Sequence, residues 1–391
     1  MRYLFFDIEC CNGRDICEFG YVITDTEFNV LEKDDFTINP EKMFSLTGRT
    51  NGRDLELYYP YAKYYESPKF PYFYDRIKEL IEYPDQLIVG YAINNDAGFI
   101  RNACKRYNLE SINFRFADTQ RMYSEFTNFR KSTSLETAGE NLNVEKTKCL
   151  HKSDDDSELT MNLVKGMCKK LECSLEELIE LCDSCRGKSE NFDIKYDDAE
   201  IRQKKKYESA KSRINNDIRA NYRMFLQFLD GVKPQGDTVE SLLNGKTLCV
   251  SLNYEIGHFK EMLALVQLLA NHNATYKMKA SDNDIFVICS CKDDEGNEKF
   301  CTRLKYVNEA IKDGKTIQIM SFEELLSILG VTEEDLLSMP FPEESSFHKK
   351  SRPRQKKKVP KIVETKPKCP TLGELFPELF EKLKNKTDDE K

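Results

Sequence analysis

Short apolar runs broken by turn residues open the chain, and longer segments with apolar residues every third or fourth position follow them. YLFFDIE (3–9) and FGYVITD (19–25) are β-rich runs separated by the turn-rich CCNGRD, and LEKDDFTINP (31–40) continues the meander. Farther on, DRIKELIEY (75–83) has helical periodicity and LIVGY (87–91) is an unbroken apolar run. AGFIRNACKRYNL (97–109) then puts Phe99, Ile100, Ala103, Cys104 and Tyr107 on one helical face. Strands and helices alternating in this order predict an α/β fold, a mixed sheet with helices packed on it.

The same reading divides the chain. Residues 1–185 form the alternating α/β region. It ends in GMCKKLECSLEELIELCDSC, where Ser174 and Glu177 make a capping-box pattern. Residues 186–241 are strongly charged, with a helix expected through KSRINNDIRANYRMFLQFL and stopped by GVKPQG, and they read as a helical connector. A second, smaller α/β unit is expected over 242–331, and 332–391 reads as a basic, disordered tail containing KKSRPRQKKKVPK. No internal repeat and no glycine-rich phosphate loop is present, which argues against a P-loop ATPase.

Composition narrows the setting more than the chemistry. The net charge of −8 excludes a uniformly basic nucleic-acid coat but not a local positive groove or tail. Fourteen cysteines without an apolar leader segment predict free thiols and a cytoplasmic location, and no run has the length of a membrane span. Cys168, Cys173, Cys182 and Cys185 have a zinc-like spacing, but Cys168 and Cys182 sit among apolar helix positions, so packing is sufficient to explain them.

Candidate chemistry lies in the acids. Asp7 and Glu9 share one face of the first strand while Leu4, Phe6 and Ile8 take the other. Two carboxylates about 7 Å apart on such a strand repel each other and lose hydration, and a divalent cation relieves both penalties. The bland alternative is an edge strand with one solvated face. Asp96 opens a helix directly after a buried strand, where capping shared with Asn94 or Asn95 is the ordinary role. HKSDDDSELT (151–160) places His151 before three aspartates at a helix start. Ser153 and Asp156 read as a capping box there, yet Asp156 falls on the stripe of Leu159, Leu163 and Met167, with Asp154 toward the polar side. Acids from a strand face, a strand-to-helix junction and a helix start can converge at one end of a sheet, and oxygen donors of this kind suit Mg²⁺ or Mn²⁺ rather than zinc.

Taken in order, DIE at 7–9 with IxExG at 16–20, NND at 94–96, and His151 with Asp156 resemble the three exonuclease motifs of the DEDD superfamily, histidine subgroup. That family includes the proofreading subunit of bacterial replicative polymerases. The resemblance covers about residues 1–170 and implies an RNase H-like fold, in which Asp7, Glu9, Asp96 and Asp156 hold two Mg²⁺ or Mn²⁺ ions and His151 acts as general base. The implied reaction is 3′→5′ hydrolysis of single-stranded or frayed DNA, releasing nucleoside 5′-monophosphates. RNA trimming, or a non-catalytic scaffold that only binds nucleic acid or a partner, are the rival readings. MFSLTGR (43–49) is similar to the family's loop near the terminal nucleotide, with Phe44 or Leu46 facing its base or simply buried in a turn.

Residues 242–331 resemble a BRCT-type domain, above all in KYVNEA…IQIMSFEELL. Ser251 and Lys305 match the usual phosphate-contacting positions of such modules, which implies a phosphate-bearing partner. Leu252 and Asn273 stand where glycines are common, and Leu252 argues against close backbone approach to a phosphate. The basic run 349–361 has the composition of a phosphate-backbone contact or of a solvated linker. TLGELF resembles sliding-clamp-binding peptides but lacks their glutamine. A polymerase or sliding clamp is therefore an expected partner class beside nucleic acid, and a membrane is not.

Overall fold

The structure is a computed structural model that describes residues 1–46, 56–127, 133–147, 149, 151–197, 218–236, 239–289, 301–340 and 342. The expectations for residues 47–49, for the basic run and for TLGELF lie outside the described residues. All described residues fall in one compact unit, Met1–His348.

The chain begins with β1 (Arg2–Cys10), β2 (Ile16–Thr24) and β3 (Val30–Thr37), the expected meander. After it come α1 (Tyr61–Glu66), α2 (Phe70–Ile81), β4 (Gln86–Gly90), α3 (Asn94–Arg106), β5 (Phe114–Asp118), α4 (Thr119–Phe126), α5 (Leu135–Leu142), α6 (Ser153–Leu171) and α7 (Leu175–Leu181). Two further strands, β6 (Arg186–Glu190) and β7 (Asp193–Tyr196), complete a seven-stranded sheet of order β3-β2-β1-β4-β5-β6-β7. β1 runs antiparallel to β2 and parallel to β4, and β4 parallel to β5, so the sheet is mixed, as an RNase H-like fold requires.

β1 is an interior strand, paired on both sides with β2 and β4, and it is largely buried on both faces. Leu4, Phe6 and Ile8 pack with Ile77, Ile100 and Cys104 of α2 and α3; Tyr3 and Phe5 pack with Leu163, Val164 and Met167 of α6. The edge-strand explanation of Asp7 and Glu9 is thereby removed, because their face continues toward α6. Cys168, Cys173, Cys182 and Cys185 pack within the α6 side of this core.

The sequence places a helical connector from residue 186, but 186–196 is β structure. RGKSE and DIKY are too charged to carry the apolar alternation of a strand, and their pairing with β5 through backbone hydrogen bonds decides the outcome. The helix of the connector is α8 (Ile218–Gly231).

The C-terminal part contains β8 (Thr247–Val250), α9 (Leu252–Gly257), α10 (Phe259–Asn271), β9 (Thr275–Tyr276), β10 (Ile285–Ile288), α11 (Thr302–Lys312), β11 (Gln318–Ser321), α12 (Phe322–Leu329) and α13 (Glu333–Ser338). Its four strands form a parallel sheet of order β11-β10-β8-β9. At its centre Arg303 is fully buried, donating to Glu255 at 2.7 Å and to the Val250 carbonyl at 2.9 Å, while Tyr276 donates to the same glutamate. α13 lies within the stretch expected to be a disordered tail; Thr332 and Asp335 form its capping box and Leu336 is buried, which fixes one more turn of chain.

Candidate active site

The site is assembled at the carboxyl ends of β1 and β4, where α3 and α6 begin. Asp7 and Glu9 come from β1, Asp96 from the first turn of α3, Asp156 from the first turn of α6, and His151 from the residues just before α6. Ligand atoms of Glu9, His151 and Asp156 all lie within 4.8 Å of one another. His151 Nδ1 is 3.6 Å from Glu9 Oε1, and the His151 backbone N–H donates to Asp156 Oδ2 at 3.2 Å. His151 adopts φ of +61°, an unfavourable conformation for a side-chain-bearing residue that directs its ring at the acids while its N–H serves Asp156.

Asp7 and Asp96 join through electrostatics and hydrogen bonding. Burial pushes the Asp7 carboxyl well above its usual range, and the charges of Asp96, Asp156, Glu9 and Glu18 push it further. Asp96 is likewise raised, by burial and then by Glu9 and Asp118, against the backbone N–H groups of Asp96 and Ile8 that bond its carboxylate. Asp156 is pushed up to about 7 by burial and the Glu9 charge, opposed by His151. His151 is raised in turn, chiefly by its hydrogen bond with Glu9.

Mutually repelling, buried oxygens are what a hard cation would satisfy. Asp156 Oδ1 is a specific sign of fit: it is buried with no hydrogen-bond partner. The donor set of four carboxylates and an imidazole matches a divalent ion of that class.

The residues around the acids explain why IxExG is part of the pattern. The Glu18 carboxylate accepts the Ser153 N–H at 2.8 Å, the Ser153 hydroxyl at 2.7 Å and the Tyr64 hydroxyl at 2.8 Å. Burial raises Glu18 to about 7 in spite of these bonds. The expected capping box at Ser153 is thus reversed: Ser153 is the first helical residue, its hydroxyl donates rather than accepts, and the capping carboxylate arrives from β2. Gly20 allows the approach, since a Cβ there would lie 2.1 Å from the Asp154 nitrogen and 2.3 Å from the Ser153 carbonyl carbon.

Asp154 is buried, contrary to its expected polar-side position, and it is neutralised. Lys152 bonds it at 2.6 Å and Asp35 at 2.8 Å, while Lys33 bonds Asp155 and also Glu158 at 2.6 Å. Among the described residues, Asp156 is therefore the one of the three consecutive aspartates without a lysine partner. Behind Asp96, Asp118 caps α4 and accepts the Ala92 N–H at 3.2 Å. Tyr196 of β7 donates to Asp118, lies 3.0 Å from Asn94 Oδ1 and carries the Arg121 guanidinium on its ring. Sequence reasoning missed this brace because Tyr196 sits in the stretch read as connector.

The remaining expected residues divide. Phe44 is half-buried and its ring stacks on Tyr61, whereas Leu46 is only 5% exposed. Ser251 is buried and its hydroxyl accepts from Cys289 N–H at 3.1 Å and from the Cys301 thiol at 3.3 Å. Lys305 instead pairs with Glu27 and lines a cavity of about 420 Å³ between α6, α7 and α11. Ser251 and Lys305 thus each have partners of their own.

Residues 4–164 match the family model described as an exonuclease (RNase_T), so the chain carries an exonuclease domain over that span, from β1 into α6. No curated protein matches the chain. Among solved structures, the nuclease domain of 3′hExo, a DEDDh family member bound to rAMP, is 18% identical over 43% of this chain and 91% of that one, with a TM-score of 0.35. Exonuclease X in complex with 5′ overhanging duplex DNA is 13% identical over 44% and 95%, with a TM-score of 0.34. E. coli Exonuclease I in complex with a dA16 oligonucleotide is 21% identical over 43% and 41%, with a TM-score of 0.34. The match to the exonuclease family, together with the sheet topology and the acidic cluster, concerns the part of the chain from β1 into α6. Among the described residues no helix is long and apolar enough to cross a membrane.

Proposed function

We propose that the protein is a metal-dependent 3′→5′ exonuclease that removes nucleoside 5′-monophosphates from single-stranded or frayed DNA ends. The observation that carries the reading is the meeting of Asp7, Glu9, Asp96, Asp156 and His151 at the ends of β1 and β4. The four carboxylates would hold two Mg²⁺ or Mn²⁺ ions, which supply Lewis acidity toward the phosphodiester and lower the pKa of a bound water. His151 is the base: its side chain is 41% exposed at the mouth of the acids, within reach of a water and of solvent. Glu18 and Gly20 seat the start of α6, which carries Asp156, and the Asp118–Tyr196 brace supports the start of α3, which carries Asp96.

For the C-terminal part we propose a BRCT-type unit. Its parallel sheet of order β11-β10-β8-β9, with helices between the strands, supports that reading. Its role is structural recruitment rather than phosphate reading, since the Ser251 hydroxyl is taken by Cys289 and Cys301. Leu252, at the position of the common glycine, packs in the core cluster that contains Leu175 and Leu178 of the exonuclease part.

Digestion of end-labelled DNA and matched RNA strands, with Mg²⁺, Mn²⁺ or chelator, tests the activity. Stepwise shortening from the 3′ end of DNA, lost in chelator and in Asp7→Ala, supports it. Preferential digestion of RNA moves the substrate to RNA, and no turnover with any metal leaves a binding scaffold.

A further inference from the structure

Beside the carboxylates, the segment YYPYAKYY (58–65) gathers aromatic rings that the reaction chemistry does not use. Tyr58, Tyr61 and Tyr65 are 49%, 47% and 43% exposed. Single exposed tyrosines are ordinary, but these are clustered with one another and with Phe44. Phe44 and Tyr61 are parallel, 5° between planes and 4.1 Å between centroids, and Tyr65 meets Phe44 edge-on at 5.5 Å. Tyr58 meets Tyr59 edge-on at 4.8 Å, and the Lys63 ammonium lies over the Tyr59 ring at 3.2 Å.

The rings are anchored to the site. Tyr58 N–H donates to the His151 carbonyl at 3.2 Å, and Ser45 N–H donates to the Cys11 carbonyl, just beyond β1, at 2.7 Å. From below, Tyr59 donates to Asp35 and Tyr64 to Glu18, both at 2.8 Å. Glu18 is the same carboxylate that holds the start of α6, so one buried acid fixes both the aromatic cluster and the helix carrying Asp156. The inner tyrosines spend their hydroxyls on this anchoring, while of the outer ones Tyr65 bonds the Lys42 carbonyl at 3.1 Å, Tyr61 has one face covered by Phe44, and all three keep over two-fifths of their surface exposed. Flat exposed rings interleaved with lysine, fixed at the mouth of a phosphodiester-cleaving site, suit unpaired nucleobases, whose π-faces stack irrespective of sequence.

We propose that Tyr58, Tyr61 and Tyr65 form a stacking ledge for the unpaired bases just upstream of the 3′-terminal nucleotide, so that the substrate is a strand with roughly two or three unpaired 3′ nucleotides. The inference rests on the exonuclease reading of the adjoining acids and deepens it. The test is a binding cycle on the full chain carrying Asp7→Asn, with 5′-fluorescein dodecathymidylate and the same strand made abasic at the second and third positions from its 3′ end. With Tyr61 intact, removing the bases weakens binding about tenfold; in Tyr61→Ala the same change costs less than about twofold, and Tyr61→Phe behaves as the parent. Tyr58→Ala repeats the cycle at an independent position. In the cleavage-competent protein, Tyr61→Ala raises KM for single strands and leaves kcat within about twofold. An equal abasic penalty with and without each ring, in a protein that binds and digests single strands, overturns the ledge alone. A parent that neither binds nor digests them overturns the exonuclease reading together with it.

Discussion

Replacing Asp156 by asparagine should stabilise the metal-free protein while abolishing its chemistry. The carboxyl of Asp156 is held at about 7, mainly by burial and the Glu9 charge, against an ordinary value of 3.8. Because the folded pKa is the higher one, the folded state holds an extra proton between about pH 4 and pH 7. Stability conferred by that proton is present at low pH and is lost as pH rises through this window. Above pH 7 the ionised Asp156 then costs the folded state on the order of 4 kcal/mol relative to a neutral side chain. Roughly half of that is the working figure for Asp156→Asn, since His151 loses a counter-charge at the same time and the other acids keep repelling one another. The amide oxygen can still accept the His151 N–H. A gain of about 2 kcal/mol raises the melting temperature by roughly 3 °C for a cooperative unit spanning Met1–His348. The assay is thermal melting in chelator from pH 4 to pH 8, with a parallel series in Mn²⁺. The variant should gain most at pH 8 and nothing near pH 4, and Mn²⁺ should raise the parent far more than the variant. A variant that melts below the parent at pH 8 in chelator, or a gain independent of pH, would refute the reasoning.

Gly20→Ala forces a Cβ to within 2.1 Å of the α6 backbone, so it should lower stability by about 2–3 kcal/mol in denaturant unfolding and reduce digestion more than tenfold. Glu18→Ala leaves the buried Ser153 N–H and the Tyr64 hydroxyl without their acceptor, and the same unfolding measurement should show a loss of about 2–4 kcal/mol. Arg303→Met strands the buried Glu255 carboxylate and should cost about 3–5 kcal/mol, whereas the double variant Arg303→Met/Glu255→Leu should recover much of it in the same titration. His151→Gln should lower kcat by about 10²–10⁴ with little change in KM, read from single-strand digestion at saturating Mn²⁺.

How far the sequence discloses this molecule depends on where each element gets its stability. β1, β2, β4, α3 and α6 carry their own periodicity, and their order alone brings Asp7, Glu9, Asp96 and Asp156 to one end of the sheet. β6 and β7 carry none, because their strand character comes from pairing with β5, and so Tyr196 and the brace on Asp118 were hidden in an apparent connector. Ser153 and Asp156 have the spacing of a capping box, yet a carboxylate 135 residues away in sequence outcompetes the local acceptor. Asp154 and Asp155 look like a solvated acidic turn until Lys33 and Lys152 close over them. Ser251 and Lys305 illustrate the opposite limit, since a position matched by pattern says nothing about which partner its side chain finds.

The central claim is that the acids tolerate one another because they share divalent ions. A crystal of the full chain soaked in Mn²⁺ and measured for anomalous scattering examines it directly. Two Mn²⁺ peaks contacted by Asp7, Glu9, Asp96 and Asp156, with Asp156 Oδ1 among the ligands, are the predicted result. Ordered acids with no anomalous peak between them at millimolar Mn²⁺, or a peak only at some other place on the chain, would contradict it.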